Sequence, residues 1–160
     1  MAADAREFAL DERYALILAP MQLAQLLGGP EGRAGMLRCA AAHLLPGGML
    51  AVALLAGGAP DFAQGPPPLP DVREIDGRIY SSQPLEVRGT NGGLEVKRLR
   101  QTVSPAGDLT EELDVTKLDA LAPQDLEREA AERGLDPGGR IAVPPTPDHV
   151  GSTVVLLESS

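Results

Sequence analysis

The residue types that most often carry enzyme chemistry are scarce in this sequence, which has one cysteine and two histidines among 160 residues. His149 is the only histidine in a predicted loop, and it is a candidate general base. The alternative is a polar residue that stabilises its turn. Cys39 and His43 lie in an apolar pattern at helical spacing, which favours a buried thiol and a structural imidazole. The sequence therefore predicts neither a catalytic triad nor a multi-cysteine metal site.

Two further polar side chains each have a functional and a structural interpretation. Tyr80, flanked by Ser81 and Ser82, is a candidate to line a substrate pocket, or it packs on a sheet as strand tyrosines often do. Gln22 either hydrogen-bonds a cofactor or substrate, or lies on a helix surface. The position of each residue in the fold decides which interpretation applies.

The segment that positions Gln22 has the pattern of a strand, a turn and a helix. Tyr14–Ala19 is an unbroken apolar run, typical of a parallel strand buried on both faces. Pro20 ends the strand, and the leucines of Met21–Leu27 have helical spacing. Because ligands of open α/β sheets bind at the carboxyl ends of parallel strands, Ala19–Gln22 is the first place to look for a site.

A second helix and strand complete a β-α-β unit. Pro30 suits the first turn of a helix that runs to about Leu45, with Arg33 lying off its apolar stripe. The turn Leu45–Gly48 stops this helix, and Met49–Leu55 is another continuous apolar run of strand length. The predicted core of the protein is therefore an α/β sheet.

From Val72 onward the pattern changes to short alternating strands, which predict an antiparallel meander. The turn signals are Asp76-Gly77, Asn91-Gly92-Gly93 and Ser104–Asp108. Cross-strand ion pairs are expected on the polar face, between Arg98 and Arg100 on one strand and Glu112 and Asp114 on another.

The end of the chain predicts one more helix and two closing strands. The helix begins at Pro123, buries Leu126 and Ala130, and stops at a left-handed Gly134. Ile141–Val143 and Thr153–Leu157 are the predicted strands.

Composition and charge restrict the partners. The net charge of −9 disfavours nucleic acid, because phosphate binding needs a basic face. No apolar run is long enough to span a bilayer, and the acidic N-terminus lacks the features of a signal peptide, so we expect a cytoplasmic protein without membrane contacts. The preference for Arg, Ala, Gly and Pro is typical of a GC-rich bacterial genome.

Taken in order, these segments resemble the C-terminal portion of a class I S-adenosylmethionine-dependent methyltransferase. Asp4-Ala5-Arg6 is similar to the acidic motif after the third strand of the family, and Tyr14–Gln22 to the fourth strand and its loop. The segment Leu44–Gly48 followed by Met49–Leu55 is similar to the family's "LxPGG" turn and fifth strand. The resemblance implies a partial Rossmann-like methyltransferase sheet, one domain over residues 1–160, with an antiparallel insertion at 72–118.

The same resemblance implies a function and its residues. The cofactor is S-adenosylmethionine, contacted by Asp4, Ala5 and Arg6 on the adenine side and by Ala19, Pro20, Met21 and Gln22 along the loop after the fourth strand. Tyr80 and His149 are the expected substrate-side residues. Because the Asn/Asp-Pro-Pro motif of enzymes that methylate base or amide nitrogens is replaced by Ala19–Gln22, the expected acceptor is a small molecule.

The family's glycine-rich cofactor loop and its ribose-binding acidic residue have no counterpart in these 160 residues. The resemblance therefore covers about half of the family's domain, and Tyr14–Ala19 is expected to be an apolar edge strand. Either another chain completes the sheet, or the sequence is a truncated or mis-started product. We expect weak cofactor binding by this chain and self-association through the open edge. The competing hypothesis is a non-catalytic half-domain that binds a partner through that edge.

Overall fold

The computed structural model describes residues 2–55, 69–146 and 150–160. The elements in chain order are β1 (Tyr14–Ala19), a 3₁₀ helix (Leu23–Leu26), α1 (Pro30–His43), β2 (Leu44–Leu55), β3 (Asp71–Ile75), β4 (Arg78–Thr90), β5 (Gly93–Val103), β6 (Leu109–Asp119), α2 (Pro123–Ala131), β7 (Leu135–Val143) and β8 (Ser152–Ser159). They form two compact units, Met1–Gly57 with Asp119–Ser160, and Gly58–Leu118. The assignment of the whole chain to one domain with an insertion stays a prediction.

The first unit contains a four-stranded mixed sheet in the order β1-β2-β8-β7. β1 and β2 are parallel, with Leu16 opposite Met49 and Ala19 opposite Val52. β8 runs antiparallel to both β2 and β7. The β1-α1-β2 unit and the antiparallel closing pair confirm the sequence prediction, although β7 and β8 are both longer than predicted.

The turn that follows α1 is absorbed into the start of β2. The pairing register slips between Tyr14, opposite Leu44, and Leu16, opposite Met49, so β2 carries extra residues there. Gly47 has a φ of 71°, a conformation that glycine adopts without strain. The predicted turn between α1 and the strand is therefore an irregularity in the pairing of β1 with β2.

The position of β1 confirms one expectation and corrects another. β1 is the edge of its sheet, as the resemblance implied. The prediction that this strand is buried on both faces was wrong, since Leu16 is 53% exposed and Leu18 is 65% exposed. Ala19 at the carboxyl end is buried. A continuous apolar run does not guarantee burial, because burial depends on what covers the strand.

The core of the first unit lies where α1 and α2 pack with β2 and β8. Leu126 and Ala130 of α2 are buried as predicted. Gly134, after α2, has the left-handed conformation that was predicted for it, with a φ of 77°. The largest fully buried side chains are all aliphatic: Leu37, Leu44, Leu50, Leu54, Leu126, Leu135, Leu157, Val52 and Val155. No helix within the described ranges is long and apolar enough to cross a membrane.

The second unit is the predicted antiparallel meander, with strand order β3-β4-β5-β6. Asp76 and Gly77 have φ values of 51° and 70°, which fit the type I′ turn of a two-residue hairpin. Arg100 pairs with Asp114 at 2.9 Å as expected. Arg98 instead donates to the hydroxyl oxygen of Ser82 at 3.4 Å, a long hydrogen bond.

Candidate functional site

The loop after β1 lies at the carboxyl end of a parallel strand, and it is not the helix predicted over Met21–Leu27. Met21 and Gln22 have φ values of 53° and 58°, in the left-handed region. The amide of Leu23 donates to the carbonyl oxygen of Pro20 at 3.2 Å, which closes a tight turn. Only Leu23–Leu26 is helical, as a single 3₁₀ turn. The leucine spacing was compatible with this shorter structure as well as with an α-helix.

A buried glutamine anchors this loop. Gln25 is 5% exposed. Its Oε1 accepts a hydrogen bond from the amide of Leu55 at 2.8 Å, and its Nε2 donates to the carbonyl oxygen of Asp119 at 3.0 Å. Sequence reasoning selected Gln22 and missed Gln25. The available signal was a polar residue within the apolar run Leu23–Leu27, since a buried amide requires hydrogen-bond partners.

The N-terminal motif forms a turn held by Asp4 and Arg6. The side chain of Arg6 donates to the Asp4 carboxylate from Nε at 3.0 Å and from Nη2 at 2.6 Å. The amide of Arg6 adds a third bond at 2.9 Å. These bonds lower the pKa of Asp4 to about 2, and the bonds from the Arg6 guanidinium have the largest effect. Ala5, between them, packs against the core. Asp4 is therefore a pre-formed, exposed carboxylate at near-neutral pH.

Two glycines of α1 permit close approach of the neighbouring backbone. A Cβ on Gly35 would lie 2.7 Å from the carbonyl oxygen of Arg6, and one on Gly32 would lie 1.9 Å from that of Leu27. Both distances are below normal van der Waals contact, so these two positions of α1 require glycine. The N-terminal turn and the end of the β1 loop consequently rest on the same helix.

A concave region of about 500 Å³ lies at this meeting point. Its lining residues come from the N-terminal turn, the β1 loop and α1: Asp4, Arg6, Glu7, Leu27, Gly28, Glu31, Gly32, Gly35 and Arg38. The structure thus brings Asp4 and Arg6 together with Leu27 and Gly28. Ala19, Pro20, Met21 and Gln22 are not part of this lining, although they belong to the same unit.

Cys39 and His43 have the structural roles that the helical pattern indicated. The Cys39 thiol is buried, and its Sγ lies 3.6 Å from the carbonyl oxygen of Arg6. His43 accepts a hydrogen bond from the amide of Leu10 at Nε2, 2.8 Å away, while Nδ1 lies 2.7 Å from the carbonyl oxygen of Cys39. Its ring also contacts Phe8, with centroids 4.9 Å apart. His43 therefore fastens the N-terminal segment to α1.

A buried ion pair was missed by the sequence analysis, which placed Arg33 off the apolar stripe of α1. Arg33 is 4% exposed. It donates to both carboxylate oxygens of Glu129, at 2.8 and 2.7 Å, and to Oδ2 of Asp119 at 3.1 Å. The carboxylate of Glu129 raises the pKa of Arg33 above its ordinary value. The signal was present, since position 33 precedes the buried residues Met36 and Leu37 by three and four residues.

Of the two expected substrate-side residues, Tyr80 belongs to the second unit and His149 lies outside the described residues. Tyr80 pairs across strands with Arg73 and Thr102 and is partly exposed. It lines a concavity of about 310 Å³ on the meander, which also carries Asp71, Arg100 and Glu112. Its place on β4 is equally compatible with the alternative, a strand tyrosine that packs on its sheet. Its contact with a substrate stays a prediction.

The described residues contain no group of three or more His, Cys, Asp or Glu side chains arranged to hold a metal ion. Among the predicted cofactor residues in the first unit, Asp4 is an exposed carboxylate and Met21 is an exposed apolar side chain on the loop after β1. Contact of either side chain with a cofactor stays a prediction.

Comparison with known proteins identifies relatives by structure and not by sequence. No protein-family model matches the chain, and no curated protein sequence matches it. Among solved structures, an S-adenosylmethionine-dependent methyltransferase from Clostridium acetobutylicum superimposes on 100% of the chain with a TM-score of 0.68 at 9% identity. The match covers 64% of that protein.

Two sugar methyltransferases show the same likeness. CalS10, an amino pentose methyltransferase from Micromonospora echinaspora with S-adenosylmethionine bound, matches 99% of the chain with a TM-score of 0.62 at 17% identity. KedS8, a sugar N-methyltransferase from Streptoalloteichus, matches 96% with a TM-score of 0.64 at 18% identity. The chain spans 63% and 60% of these two proteins. The likeness confirms the predicted fold, a partial Rossmann-like methyltransferase sheet with an antiparallel meander.

Proposed function

We propose that this chain takes part in S-adenosylmethionine-dependent methyl transfer to a small molecule, and that it supplies the adenine side and one wall of the cofactor site. The observation that carries this proposal is the parallel pair β1-β2 with its loop and α1, on a fold that methyltransferases share over nearly the whole chain. Ligands of such sheets bind at the carboxyl ends of the parallel strands, where Ala19–Gln22 lie.

The exposure and hydrogen-bonding capacity of Asp4 support an adenosine group at this site. The Asp4 carboxylate is exposed beside the concave region on α1, and a carboxylate has about four lone-pair positions, so Arg6 does not exhaust its capacity. Asp4 would accept a hydrogen bond from the adenine amino group, with Ala5 and Arg6 beside it. Ala19, Pro20, Met21 and Gln22, which do not line the concave region, would form the wall of the site at the carboxyl end of β1.

Methyl transfer from S-adenosylmethionine requires few catalytic groups from the protein. A bound sulfonium supplies an activated methyl group, and its displacement depends mainly on proximity and orientation. The chain's own contribution is to fix the cofactor through Asp4 and to exclude water with the exposed apolar side chain of Met21. No metal or covalent intermediate is needed for this step. The residues proposed for the acceptor are Tyr80 and His149, and His149 is the candidate base for its proton.

The acceptor proposed here is an amine of a small, sugar-like molecule in a bacterial cytoplasm. CalS10 is an amino pentose methyltransferase and KedS8 a sugar N-methyltransferase, and both support that class. The absence of Asn/Asp-Pro-Pro after β1 argues against base and amide nitrogens as acceptors.

The experiment is transfer of a labelled methyl group from S-adenosylmethionine to a panel of amino sugars. A version of the chain engineered to carry a strand and a glycine-rich loop before residue 1 is compared with its Asp4→Ala variant and with Asp11→Ala as control. Transfer that falls with Asp4→Ala alone supports the proposal. Binding of the cofactor by the longer chain without any loss in Asp4→Ala removes Asp4 from the site.

A second candidate function is a non-catalytic half-domain that binds a partner through β1. The edge position of β1 and the exposure of Leu16 and Leu18 favour it. Cofactor binding separates the two proposals, because an adapter that docks through β1 requires no contact between Asp4 and S-adenosylmethionine.

A further inference from the structure

The turn after β1 is built from residue types that ordinarily avoid its conformation. Met21 and Gln22 occupy its two central positions with φ values of 53° and 58°, and the amide of Leu23 closes it on the carbonyl oxygen of Pro20. This is the geometry of a type I′ turn, which selects Asn-Gly or Gly-Gly. Side chains with a Cβ are strained in the left-handed region. Two consecutive strained residues must therefore be held in place by other contacts.

Gln25 makes three hydrogen bonds, one to the turn itself and two that tie the residue after the turn to the rest of the first unit. Its amide donates to the carbonyl oxygen of Gln22 at 2.8 Å, directly at the turn. Its side chain bonds the amide of Leu55, the last residue of β2, and the carbonyl oxygen of Asp119, the last residue of β6. Both side-chain bonds are shielded, because Gln25 is almost fully buried.

The turn also has an unusual exposure, since Met21 is 80% exposed while Ala19 and Ala24 on either side of the turn are buried. An apolar side chain held out from the carboxyl end of a parallel strand is placed to contact a ligand. Backbone strain that surrounding structure maintains is often associated with such positions.

We propose that Gln25 is a positioning residue, which holds the Met21–Gln22 turn in its left-handed conformation and so presents Met21 to the ligand. The ligand part of this inference rests on the proposed function, whereas the coupling between Gln25 and the turn does not. Burial keeps the side chain of Gln25 away from a ligand, since the residue is 5% exposed.

A double-mutant cycle tests the coupling. In the parent chain, Gln22→Gly removes left-handed strain and raises the folding equilibrium constant about fivefold, after the extra freedom of glycine in the unfolded chain is counted. Gln25→Met keeps the side-chain length and loses both hydrogen bonds, so the turn relaxes. In that background the gain from Gln22→Gly disappears. An equal gain in both backgrounds overturns the proposal.

Two controls separate positioning from general stability. Val155→Ala destabilises the same core without touching the loop, and the gain from Gln22→Gly must survive in it. The amide–Hα coupling constants of Met21 and Gln22 report φ directly, and they must change in Gln25→Met and stay unchanged in Val155→Ala. If Gln25→Met does not fold, Gln25→Asn gives the same readout, because the shorter side chain cannot reach Leu55 and Asp119 together.

The ligand part has its own readout. On addition of S-adenosylmethionine, the amides of Met21 and Gln22 shift in the parent chain and shift less in Gln25→Met. If the double-mutant cycle shows coupling but the amides of Met21 and Gln22 do not shift with the cofactor, Gln25 still anchors the turn. That result rejects the proposed function. Shifts of equal size in both chains reject the role of Gln25 in presenting Met21.

Discussion

The guanidinium of Arg33 lies edge-on to the carboxylate of Glu129, with Nε 2.8 Å from Oε2 and Nη2 2.7 Å from Oε1. This bidentate pair joins α1 to α2, and Asp119 extends it by accepting from both Arg33 and the amide of Gly29. A buried arginine whose donors are satisfied in this way fixes the two helices relative to each other within the first unit.

Removal of the Glu129 carboxylate should be costly. Glu129→Ala leaves the buried guanidinium with Asp119 alone, and we expect the free energy of unfolding to fall by about 2–4 kcal/mol in urea titrations. Arg128→Met, which removes an exposed ion pair with Asp125 on the same helix, should cost less than about 0.5 kcal/mol. Equal losses in the two variants would show that the Arg33 pair is no stronger than a surface pair.

Asp4 should titrate abnormally. Its pKa is about 2 in the folded chain against an ordinary value of 3.8, because Arg6 donates to its carboxylate. A lowered pKa stabilises the turn above pH 3.8, and this contribution is lost as the pH falls toward 2. NMR titration of the Asp4 carboxyl carbon should show the low midpoint, and Arg6→Ala should return it toward 3.8. Arg13→Ala is the control and should leave the midpoint of Asp4 unchanged. A midpoint that also stays unchanged in Arg6→Ala would show that Arg6 does not lower the pKa of Asp4.

Gly35 should not tolerate a side chain. Alanine normally favours a helix over glycine by about 1 kcal/mol. At this position the new Cβ meets the Arg6 carbonyl oxygen at 2.7 Å, so Gly35→Ala should instead destabilise the chain by about 1–3 kcal/mol. Hydrogen exchange should show loss of protection at Glu7, whose amide bonds the carbonyl oxygen of Asp4. Protection retained at Glu7 together with a stability gain would mean that the turn does not rest on α1.

The open edge of β1 should drive self-association. Leu18 is the most exposed large apolar side chain of the strand, and Leu18→Lys should shift sedimentation toward the monomer by placing a charge on the edge. Leu113→Lys on β6 is the matched control, since Leu113 is 58% exposed and Leu18 is 65% exposed. Association lost in Leu113→Lys and kept in Leu18→Lys would place the contact on the meander.

Local signals explain what the sequence predicted well. Asp76-Gly77 specifies a type I′ hairpin because both residues accept positive φ, and the structure has that turn. Pro123 and Gly134 bracket α2 for the same kind of local reason, since proline suits a helix start and glycine a left-handed stop. The order of the elements then carried the resemblance to methyltransferases.

Long-range contacts explain what it did not predict. The side-chain partners of Gln25 lie 30 and 94 residues away along the chain, and those of Arg33 lie 86 and 96 residues away. No local pattern indicates which buried polar residue meets which partner. The exposure of Leu16 and Leu18 likewise depends on what lies beside β1, and not on the apolar run itself.

NMR titration of the isotope-labelled chain with the cofactor tests most directly whether Asp4–Arg6 and Ala19–Gln22 form one side of an S-adenosylmethionine site. The proposed contacts come from the adenine side and one wall of the site, and a ribose contact alone is worth about 2–4 kcal/mol. We therefore expect a dissociation constant of about 1 mM or weaker. The amides of Ala5, Arg6, Ala19, Met21 and Gln22 should shift together along one saturation curve, and Asp4→Asn should weaken it. Micromolar binding would contradict a site with only these contacts. Shifts confined to amides other than those of Ala5, Arg6, Ala19, Met21 and Gln22 would show that the cofactor binds elsewhere.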